Sequence, residues 1–245
     1  MREFISVVIP AFNEEKRIAP TLTAVCDYLT RNAQSFEIIV VDDGSSDETA
    51  RIVSDLAAEK GSIRLLHRPA NRGKGSSVRK GILEALGDLI LISDADLSTP
   101  IEEVEKFLPW IEKGYDIVIG SRGLKESDII RKQPWYRQSM GKIFNVLVSA
   151  LVFGGFNDTQ CGFKLFTSKA AKDIFRGARI DGFAFDVEAL FLAKKLGYGI
   201  KEVPVRWLNS PYSKVRIVRD SSRMFLDLLK IRLFSRPDRK TGRKV

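Results

Sequence analysis

The first 120 residues alternate short apolar runs with stretches of helical spacing, and this alternation limits the fold more than any other feature of the chain. Five runs are almost entirely apolar, as strands buried on both faces of a sheet are, and they cover residues 5–10, 36–41, 62–67, 88–93 and 115–120. Helical spacing of apolar residues fills the intervals between them, at 14–32, 47–60, 74–86 and 101–113. This βαβαβαβαβ order predicts a Rossmann-like α/β fold, in which helices cover both faces of a mostly parallel sheet.

The regular alternation ends after Gly120. Residues 121–140 are polar and basic, and they predict a loop-rich insertion. Helices are expected further along, at 141–153, 168–176 and 186–197, and strands at 162–166 and 201–207. Pro204 lies inside the last of these strands, which places it at the edge of a sheet or interrupts it.

The length of 245 residues suits one large α/β domain or two small ones. We expect one principal domain over residues 1–219, with halves at about 1–120 and 121–219. A final segment, residues 220–245, combines an amphipathic helix with a basic tail.

The net charge of +9 comes entirely from the end of the chain. Residues 201–245 hold 13 Lys and Arg against 4 Asp and Glu, and the charges of the other residues cancel. Within this segment, residues 220–236 place apolar side chains at helical spacing, among them Phe225, Leu229 and Leu233. Such a helix can lie on an anionic membrane surface, and a core-packing helix followed by a solvated tail fits the pattern equally well.

Two other functions, spanning a membrane and binding nucleic acid, are less compatible with the sequence. No run reaches the roughly 20 apolar residues that a membrane-spanning helix needs, and the first ten residues lack the design of a signal peptide. The expectation is therefore a cytoplasmic protein that is peripherally associated with a membrane. Nucleic-acid binding is a further class that the basic end suggests, but no recognisable DNA or RNA motif accompanies it, and we expect no nucleic-acid partner.

Polar motifs follow four of the five candidate strands, and this position indicates a binding site. In open α/β sheets, ligands bind beyond the carboxyl ends of the strands. The motif after the second strand, DDGSSDET, contains helix-capping residues such as Ser46 and Asp47. Capping does not account for the adjacent carboxylates Asp42 and Asp43, which precede the turn residue Gly44.

The motif DADLSTP follows the fourth strand and ends an apolar run with Asp94 and Asp96. Residues two apart on a strand share one face, so both carboxylates can point the same way. Two hard oxygen ligands suit Mg²⁺ or Mn²⁺, which also takes oxygens from substrate phosphates and water. A metal-bridged diphosphate is the natural ligand, and the cation would stabilise charge on a phosphate leaving group.

Three further features carry weaker signals. The Gly-rich, basic stretch 71–81 can attract phosphate at a helix start, but it is not a Walker loop, and a solvated loop is about as consistent. His67 is the only histidine and suits a structural role, so a hydrolase triad has no candidate members. Cys26 and Cys161 match no metal-ligand spacing and indicate a reduced compartment, with core packing for Cys26.

Taken together, the motifs resemble those of family 2 glycosyltransferases with a GT-A fold. The resemblance rests on VVIPAFNEE, VVDDGSSDET, DADLSTP and GSR in this order and spacing. Further along, DTQCGFKLF, FAFDVEAL and the pair Ser213–Lys214 resemble the dolichyl-phosphate glucosyltransferase branch. The resemblance covers residues 4–234, and it implies inverting transfer of a hexose, glucose from UDP-glucose, to a polyprenyl phosphate at a membrane surface.

The resemblance also implies roles for individual residues. The first half of the domain would bind the nucleotide sugar, and the second half would bind the acceptor. Positions matching the donor site are Pro10, Ala11, Glu14, Asp42, Asp43, Lys74, Asp94, Ala95 and Asp96, with Asp43 near the base or ribose. Asp94 and Asp96 would hold the metal ion. Arg122, Arg137 and Lys214 match positions that meet donor or acceptor phosphates, and with Asp96 they form the expected catalytic set.

Some alternatives stay open at this point. Related mannosyltransferases often carry Gln two residues after the second Asp of the DADLSTP motif, and Ser98 here leaves the third metal ligand undefined. A polyprenyl-phosphate mannosyltransferase using GDP-mannose is the alternative within the class, and a nucleotidyltransferase is the alternative outside it. An acceptor phosphate is already anionic, so it needs little help from a base, although Asp186 and Glu188 could orient it or act as bases.

Overall fold

The computed structural model describes residues 3–131, 134–209 and 217–234, with backbone only at 135–137, 142, 217–221 and 234. The strands are β1 Ile5–Ala11, β2 Phe36–Asp42, β3 Ile63–His67, β4 Leu89–Ile92, β5 Ile117–Ser121, β6 Asp128–Arg131, β7 Lys164–Thr167, β8 Ile200–Pro204 and β9 Arg206–Leu208. The helices are α1 Ile18–Asn32, α2 Thr49–Glu59, α3 Lys74–Glu84, α4 Leu108–Glu112, α5 Trp135–Leu151, α6 Ser168–Gly177, α7 Phe185–Leu196 and α8 Ile217–Phe234. A 3₁₀ helix, Ile101–Lys106, precedes α4.

Seven strands form one sheet in the order β3-β2-β1-β4-β7-β5-β8. Every pairing in it is parallel except those of β7, which runs antiparallel to β4 and β5. The α/β expectation with a mostly parallel sheet is confirmed. The strand order reverses at β1, which pairs with β2 on one side and β4 on the other, so a crevice opens at the carboxyl ends of these strands.

The core consists of two apolar layers, one on each face of the sheet. Val8 packs into one layer and its neighbours Val7 and Ile9 pack into the other, because successive side chains of a strand point to opposite faces. One layer is covered mainly by α1, α2 and the 3₁₀ helix, and the other by α3, α6, α7 and parts of α5 and α8. Central strands therefore have to be apolar at every position, which is why these runs stand out in the sequence.

The second half of the chain differs from the expectation in two places. The segment 121–140 is not only loop, because it contains β6 and the beginning of α5. The expected strand 201–207 is two strands that separate after Pro204, since β8 joins the large sheet and β9 pairs with β6 in a separate two-stranded sheet. Proline has no N–H to donate, which suits Pro204 to β8, the edge strand of the large sheet.

The final helix, α8, has apolar side chains on two sides. Leu228 and Ile231 are 0% and 1% exposed, and they pack on the core layer beside α7. Phe225, Leu226 and Leu233 are 40%, 56% and 63% exposed. No helix in the described ranges is both long and apolar enough to cross a membrane.

Candidate active site

The polar motifs at the strand ends meet around one cavity of about 710 Å³. It lies at the carboxyl ends of β1, β2, β4 and β5, where the strand order reverses. Most of the residues expected there line it, namely Pro10, Ala11, Glu14, Asp43, Lys74, Asp94, Ala95, Asp96 and Arg122. The tertiary structure thus brings together residues that lie up to 112 positions apart in the chain.

Asp94 and Asp96 both face the cavity, and each is held by a cation. The Lys74 ammonium lies 2.6 Å from Asp94 Oδ1, and Arg17 Nη1 lies 3.3 Å from Asp96 Oδ2. Burial favours the neutral form of Asp94, but the surrounding cations, first among them Lys74, together outweigh this effect and keep the pKa of Asp94 below its ordinary value. Burial also opposes the charge of Lys74, whereas Asp94 and Asp186 favour it and raise the pKa of Lys74 to about 12. The carboxylate and the ammonium are both charged at neutral pH.

Arg17 was not expected at the site from the sequence. It lies just before α1 and forms two hydrogen bonds of 2.7 Å with the carboxylate of Glu14, through Nε and Nη2. The same guanidinium reaches Asp96, 79 residues further along. Glu14 therefore lines the cavity and binds Arg17, and Arg17 in turn orients the carboxylate of Asp96.

Asp42 and Asp43 are adjacent but have different surroundings. Asp43 lines the cavity and accepts the backbone N–H groups of Arg72 and Gly73, at 3.0 and 2.7 Å. Asp42 is fully buried, accepts hydrogen bonds from Ser45, and lies 2.8 Å from His67 Nδ1. Asp42 does not line the cavity and is not placed to touch a ligand there, so it acts as an internal anchor of the strand-end turn. The structural role expected for His67 agrees with this contact.

The other polar residues of DDGSSDET tie two strand-end loops together. Ser45 Oγ accepts the N–H of Asn13 at 2.8 Å, and Thr49 Oγ1 accepts the N–H of Glu14 at 2.7 Å. Asp47 Oδ1 accepts the N–H of Thr49 at 3.0 Å, but Asp47 lies one position before the N-cap residue Glu48, whose side chain makes no capping hydrogen bond. The expectation that Ser46 or Asp47 caps α2 was therefore wrong. The polar side chains of the motif instead fix the loop that carries Glu14.

Close packing of the backbone explains the glycines of the Gly-rich stretch, residues 71–81. A Cβ on Gly73 would lie 2.4 Å from the carbonyl oxygen of Asp181, and one on Gly75 would lie 2.4 Å from that of Ile180. Only glycine permits this approach of two backbones. The N–H groups of Arg72 and Gly73 are already bound to Asp43, so they do not form an open phosphate cradle.

Arg122 follows β5 and is held by two neighbouring side chains. Its Nε and Nη2 donate to the two carboxylate oxygens of Asp158 at 2.6 and 3.0 Å. Burial alone would raise the pKa of Asp158, but Arg122 lowers it to about 2. The guanidinium also lies over the ring of Trp207, with 5.4 Å from Cζ to the ring centroid. Asp158 and Trp207 position Arg122. In the sequence, Asp158 stood out only as the first residue of DTQCGFKLF, and neither residue was assigned this role.

Asp186 and Glu188 are buried near the start of α7 and do not line the cavity. Asp186 Oδ1 lies 2.5 Å from the ammonium of Lys164, which is itself 1% exposed. Glu188 accepts the backbone N–H groups of Arg179 and Ile180. Burial raises the pKa of both carboxyl groups, but their partners engage them within the protein. Both side chains therefore organise the region behind the cavity.

The remaining expected residues lie partly beyond the described ranges. Arg137 belongs to α5, of which only the backbone is described at that position, and Lys214 lies outside the described residues. The helix α8 supplies one wall of the cavity through Arg223, Met224 and Asp227, and none of these three was identified from the sequence.

The donor atoms of the cavity fit a divalent cation that is shared with a phosphate ligand. No group of three His, Cys, Asp or Glu side chains that could hold a metal ion occurs among the residues described. The side chains of Asp94 and Asp96 are 34% and 20% exposed toward the cavity, so their oxygens are accessible. Mg²⁺ and Mn²⁺ are commonly bound through one or two carboxylates together with phosphate oxygens and water. Ser98 N–H donates to Asp96 Oδ1 at 3.0 Å and helps to orient it.

Comparison with solved structures supports the same architecture. Glucosyl-3-phosphoglycerate synthase from Mycobacterium tuberculosis, in complex with Mn²⁺, UDP-glucose and phosphoglyceric acid, superposes with a TM-score of 0.68 at 22% sequence identity. The superposition covers 98% of this chain and 82% of that chain. This likeness concerns the fold, and the GT-A fold implied by the motifs is confirmed.

Sequence comparison identifies the family. The model of glycosyl transferase family 2 matches residues 6–175. Dolichyl-phosphate beta-glucosyltransferase of Dictyostelium discoideum is 40% identical over 241 residues, which cover 94% of this chain and 74% of that protein. The human protein of the same name is 37% identical over 246 residues, which cover 94% of this chain and 75% of that protein. The chain therefore belongs to glycosyl transferase family 2, in the branch of the dolichyl-phosphate beta-glucosyltransferases.

Proposed function

We propose that the protein transfers glucose from UDP-glucose to dolichyl phosphate, with inversion at the anomeric carbon. The observation that carries the proposal is the meeting of Asp43, Asp94, Asp96 and Arg122 around one cavity at the strand reversal. Carboxylates for a metal–diphosphate group and a fixed cation for a second phosphate are what a transfer between two phosphorylated substrates requires. The names of the relatives supply the sugar and the lipid.

The donor would lie over the ends of β1, β2 and β4. Pro10, Ala11 and Asp43 line the part of the cavity suited to the nucleoside, and the carboxylate of Asp43 can accept hydrogen bonds from a base or ribose. Lys74, which contacts Asp94, is close enough to the metal-binding carboxylates to contact the same diphosphate. Asp42 is left out of this proposal because it does not line the cavity.

Asp94 and Asp96 would hold Mg²⁺ or Mn²⁺ together with the diphosphate of the donor. When bound, the cation supplies Lewis-acid stabilisation of the charge on the departing UDP. The synthase of similar fold binds Mn²⁺ together with UDP-glucose, and this supports the choice of cation. Arg17 and Lys74 orient the two carboxylates, so that their oxygens are in position before the donor binds.

The transfer needs a nucleophile and a leaving group, and both are phosphates. An oxygen of the acceptor phosphate attacks C1 of glucose, the C1–O bond to UDP breaks, and UDP keeps the electron pair. The acceptor oxygen is already anionic near neutral pH, so no general base is needed, which agrees with the engagement of Asp186 and Glu188 elsewhere. Arg122, with Arg137 and Lys214, would hold two anions that otherwise repel each other.

The acceptor lies in a bilayer, and α8 offers a surface for it. The exposed side chains Leu226 and Leu233 point away from the face that carries Leu228 and Ile231, and the exposed Phe225 lies between the two faces. The excess of basic residues in this part of the chain complements an anionic lipid surface. We infer that the protein is peripherally associated with the membrane through the outward face of α8.

Transfer of labelled glucose from UDP-glucose to dolichyl phosphate, with Mn²⁺ or Mg²⁺ and with EDTA, tests the proposal. We expect lipid-extractable label that requires the metal. Asp96→Ala should abolish transfer, because one of the two metal-binding carboxylates is lost, whereas Asp55→Ala on the exposed surface of α2 should retain it. Transfer from GDP-mannose but not from UDP-glucose contradicts the glucosyl assignment, and full activity of Asp96→Ala contradicts the assigned site.

A further inference from the structure

Among the side chains that the structure describes, four cations line the main cavity, and three of them are paired with carboxylates. Arg17 is bound to Glu14 and Asp96, Lys74 to Asp94, and Arg122 to Asp158. The fourth cation is Arg223 of α8, which has no ion pair or hydrogen bond to any side chain that the structure describes. Its guanidinium is therefore available to a ligand in a way that the other three are not.

The neighbouring acid on the helix does not neutralise Arg223. Asp227 lies one turn further along α8 and also borders the cavity, but its carboxylate is 2.8 Å from the ammonium of Lys230. The Asp227 side chain is 5% exposed, and it packs beside Gly182, where a Cβ would lie 3.5 Å from Asp227 Oδ2. This contact, with buried Leu228, fixes α8 against the cavity.

The position of Arg223 on α8 connects the cavity with the outward apolar face. Phe225 and Leu226 follow it by two and three residues, and both are exposed. A guanidinium at this point can reach a phosphate whose hydrocarbon chain continues along or beneath the outward face of the helix. Met224 lines the cavity beside Arg223 and provides a flexible apolar contact for the first carbons of such a chain.

We propose that Arg223 binds the phosphate of the polyprenyl phosphate acceptor where the lipid enters the cavity from the membrane. This inference rests on the proposed function, because it names a residue that recognises the acceptor of that reaction. Arg122 lies on the cavity wall formed by β5 and Trp207, so the acceptor phosphate would be held between two guanidinium groups on separate elements. Arginine suits this task because its planar fork matches two phosphate oxygens.

We assign Arg223 to the phosphate of the acceptor rather than to that of the donor because Arg223 lies on α8. The donor-binding residues lie at the ends of β1, β2 and β4, whereas Arg223 belongs to the only described helix that combines a cavity-lining side with an exposed apolar stripe. A lipid phosphate stays near the bilayer surface, and a soluble nucleotide sugar has no reason to be held there.

The test measures binding of a short-chain isoprenyl monophosphate that is soluble without detergent, so that membrane adsorption plays no part. Wild type, Arg223→Gln, Arg223→Lys and Arg232→Gln are compared by calorimetry, each also with UDP and with inorganic phosphate. Arg232 is a matched control, because it is an exposed arginine on the same helix that does not line the cavity. We expect Arg223→Gln to weaken isoprenyl phosphate binding about tenfold or more, as loss of a hydrogen bond between charged groups does.

The other outcomes are equally informative. Arg223→Lys should lie between wild type and Arg223→Gln, since it keeps the charge but loses the fork, and Arg232→Gln should bind like wild type. The proposal is overturned if Arg223→Gln binds the isoprenyl phosphate normally, if wild type does not bind it, if Arg232→Gln loses as much affinity, or if UDP binding falls instead. Equal affinity of wild type for inorganic phosphate would also overturn it, because the site would then not select a lipid.

Activity separates this inference from the proposed function. In transfer to the same soluble acceptor, Arg223→Gln should raise the KM for the acceptor about tenfold and leave the KM for UDP-glucose unchanged. Loss of isoprenyl phosphate binding in Arg223→Gln, together with a wild type that transfers no glucose, would refute the proposed function and leave the phosphate site standing. Normal glucose transfer with an unchanged acceptor KM in Arg223→Gln would refute the inference alone.

Discussion

At the scale of single residues, the cavity is built from ion pairs between distant parts of the chain. Asp94 is paired with Lys74, Asp96 with Arg17, and Asp158 with Arg122. The last two pairs join residues 79 and 36 positions apart. Sequence motifs identified Asp94, Asp96 and Arg122, because strand ends mark a site by local pattern. Arg17 and Asp158 could not be found in this way, since no spacing rule relates them to their partners.

Asp158 gives a prediction about stability and pH. Its pKa in the folded protein is about 2, below the ordinary value of 3.8, so its charged form favours folding. This contribution is fully present above the unfolded pKa and is lost as the pH falls through the folded pKa. A shift of this size corresponds to roughly 2 kcal/mol. Asp158→Asn should therefore lower the free energy of unfolding by about 2 kcal/mol at pH 7, measured by urea denaturation.

The control for this prediction is Asp55→Asn, which removes an exposed carboxylate paired with Arg51 on α2. Its effect should be within about 0.5 kcal/mol, as for most exposed ion pairs. The difference between wild type and Asp158→Asn should shrink when the pH is lowered from about 4 toward 2. A difference that does not change over this range would contradict the role of the ionised carboxylate.

At the scale of elements, α8 shows where periodicity is informative and where it is not. Apolar spacing over residues 220–236 predicted a helix and left its environment open between the core and a membrane surface. The structure shows that one side, with Leu228 and Ile231, is buried, and that another side, with Leu226 and Leu233, is exposed. Spacing alone could not separate the two sides, because both are apolar and burial depends on what packs against the helix.

Substitutions on the two sides of α8 should affect different properties. Those on the buried side should lower stability, and those on the outward side should weaken membrane binding. Leu228→Ala should lower the free energy of unfolding by about 2–5 kcal/mol, because it leaves a cavity in the core. The double variant Leu226→Ser with Leu233→Ser should unfold like wild type. It should bind anionic lipid vesicles at least about tenfold more weakly, because burial of each leucine in the interface contributes about 1.5 kcal/mol or more.

Urea denaturation and vesicle sedimentation measure the two effects on the same preparations. Leu228→Ala serves as the control for sedimentation, since it leaves the outward face intact and should bind vesicles like wild type wherever it remains folded. Undiminished vesicle binding by the double variant would exclude the outward face of α8 as the membrane contact.

At the scale of the whole molecule, the fold makes one site from separate regions of the chain. The sheet reverses at β1, and the carboxyl ends of four parallel strands open into one cavity. The later elements, β9 and α8, complete its wall through Trp207 and Arg223. A ligand that fills this cavity should therefore stabilise the protein as a unit, because it binds only the folded chain.

UDP and Mn²⁺ together should raise the midpoint of thermal unfolding. At a ligand concentration about 100 times the dissociation constant, the stabilisation is about 2.7 kcal/mol, which corresponds to roughly 5–10 °C for a chain of this length. Asp96→Asn should lose most of this shift, because it removes a metal-binding carboxylate, and Asp55→Asn should keep it. An unchanged shift in Asp96→Asn, measured by differential scanning fluorimetry, would contradict the metal–diphosphate site.

Local sequence patterns predicted the strand and helix order of the first 120 residues, the mostly parallel sheet and the edge at which a site forms. These features depend on local patterns, namely apolar periodicity and polar motifs at strand ends. The tertiary structure determined that Asp43 lines the cavity while its neighbour Asp42 does not, although both are buried, because adjacent residues leave a strand in different directions. It also decided which cation pairs with which carboxylate, and that Arg223 has no such partner among the described side chains. These contacts join residues that are distant in the chain, so they exist only once the sheet and its covering helices have packed together.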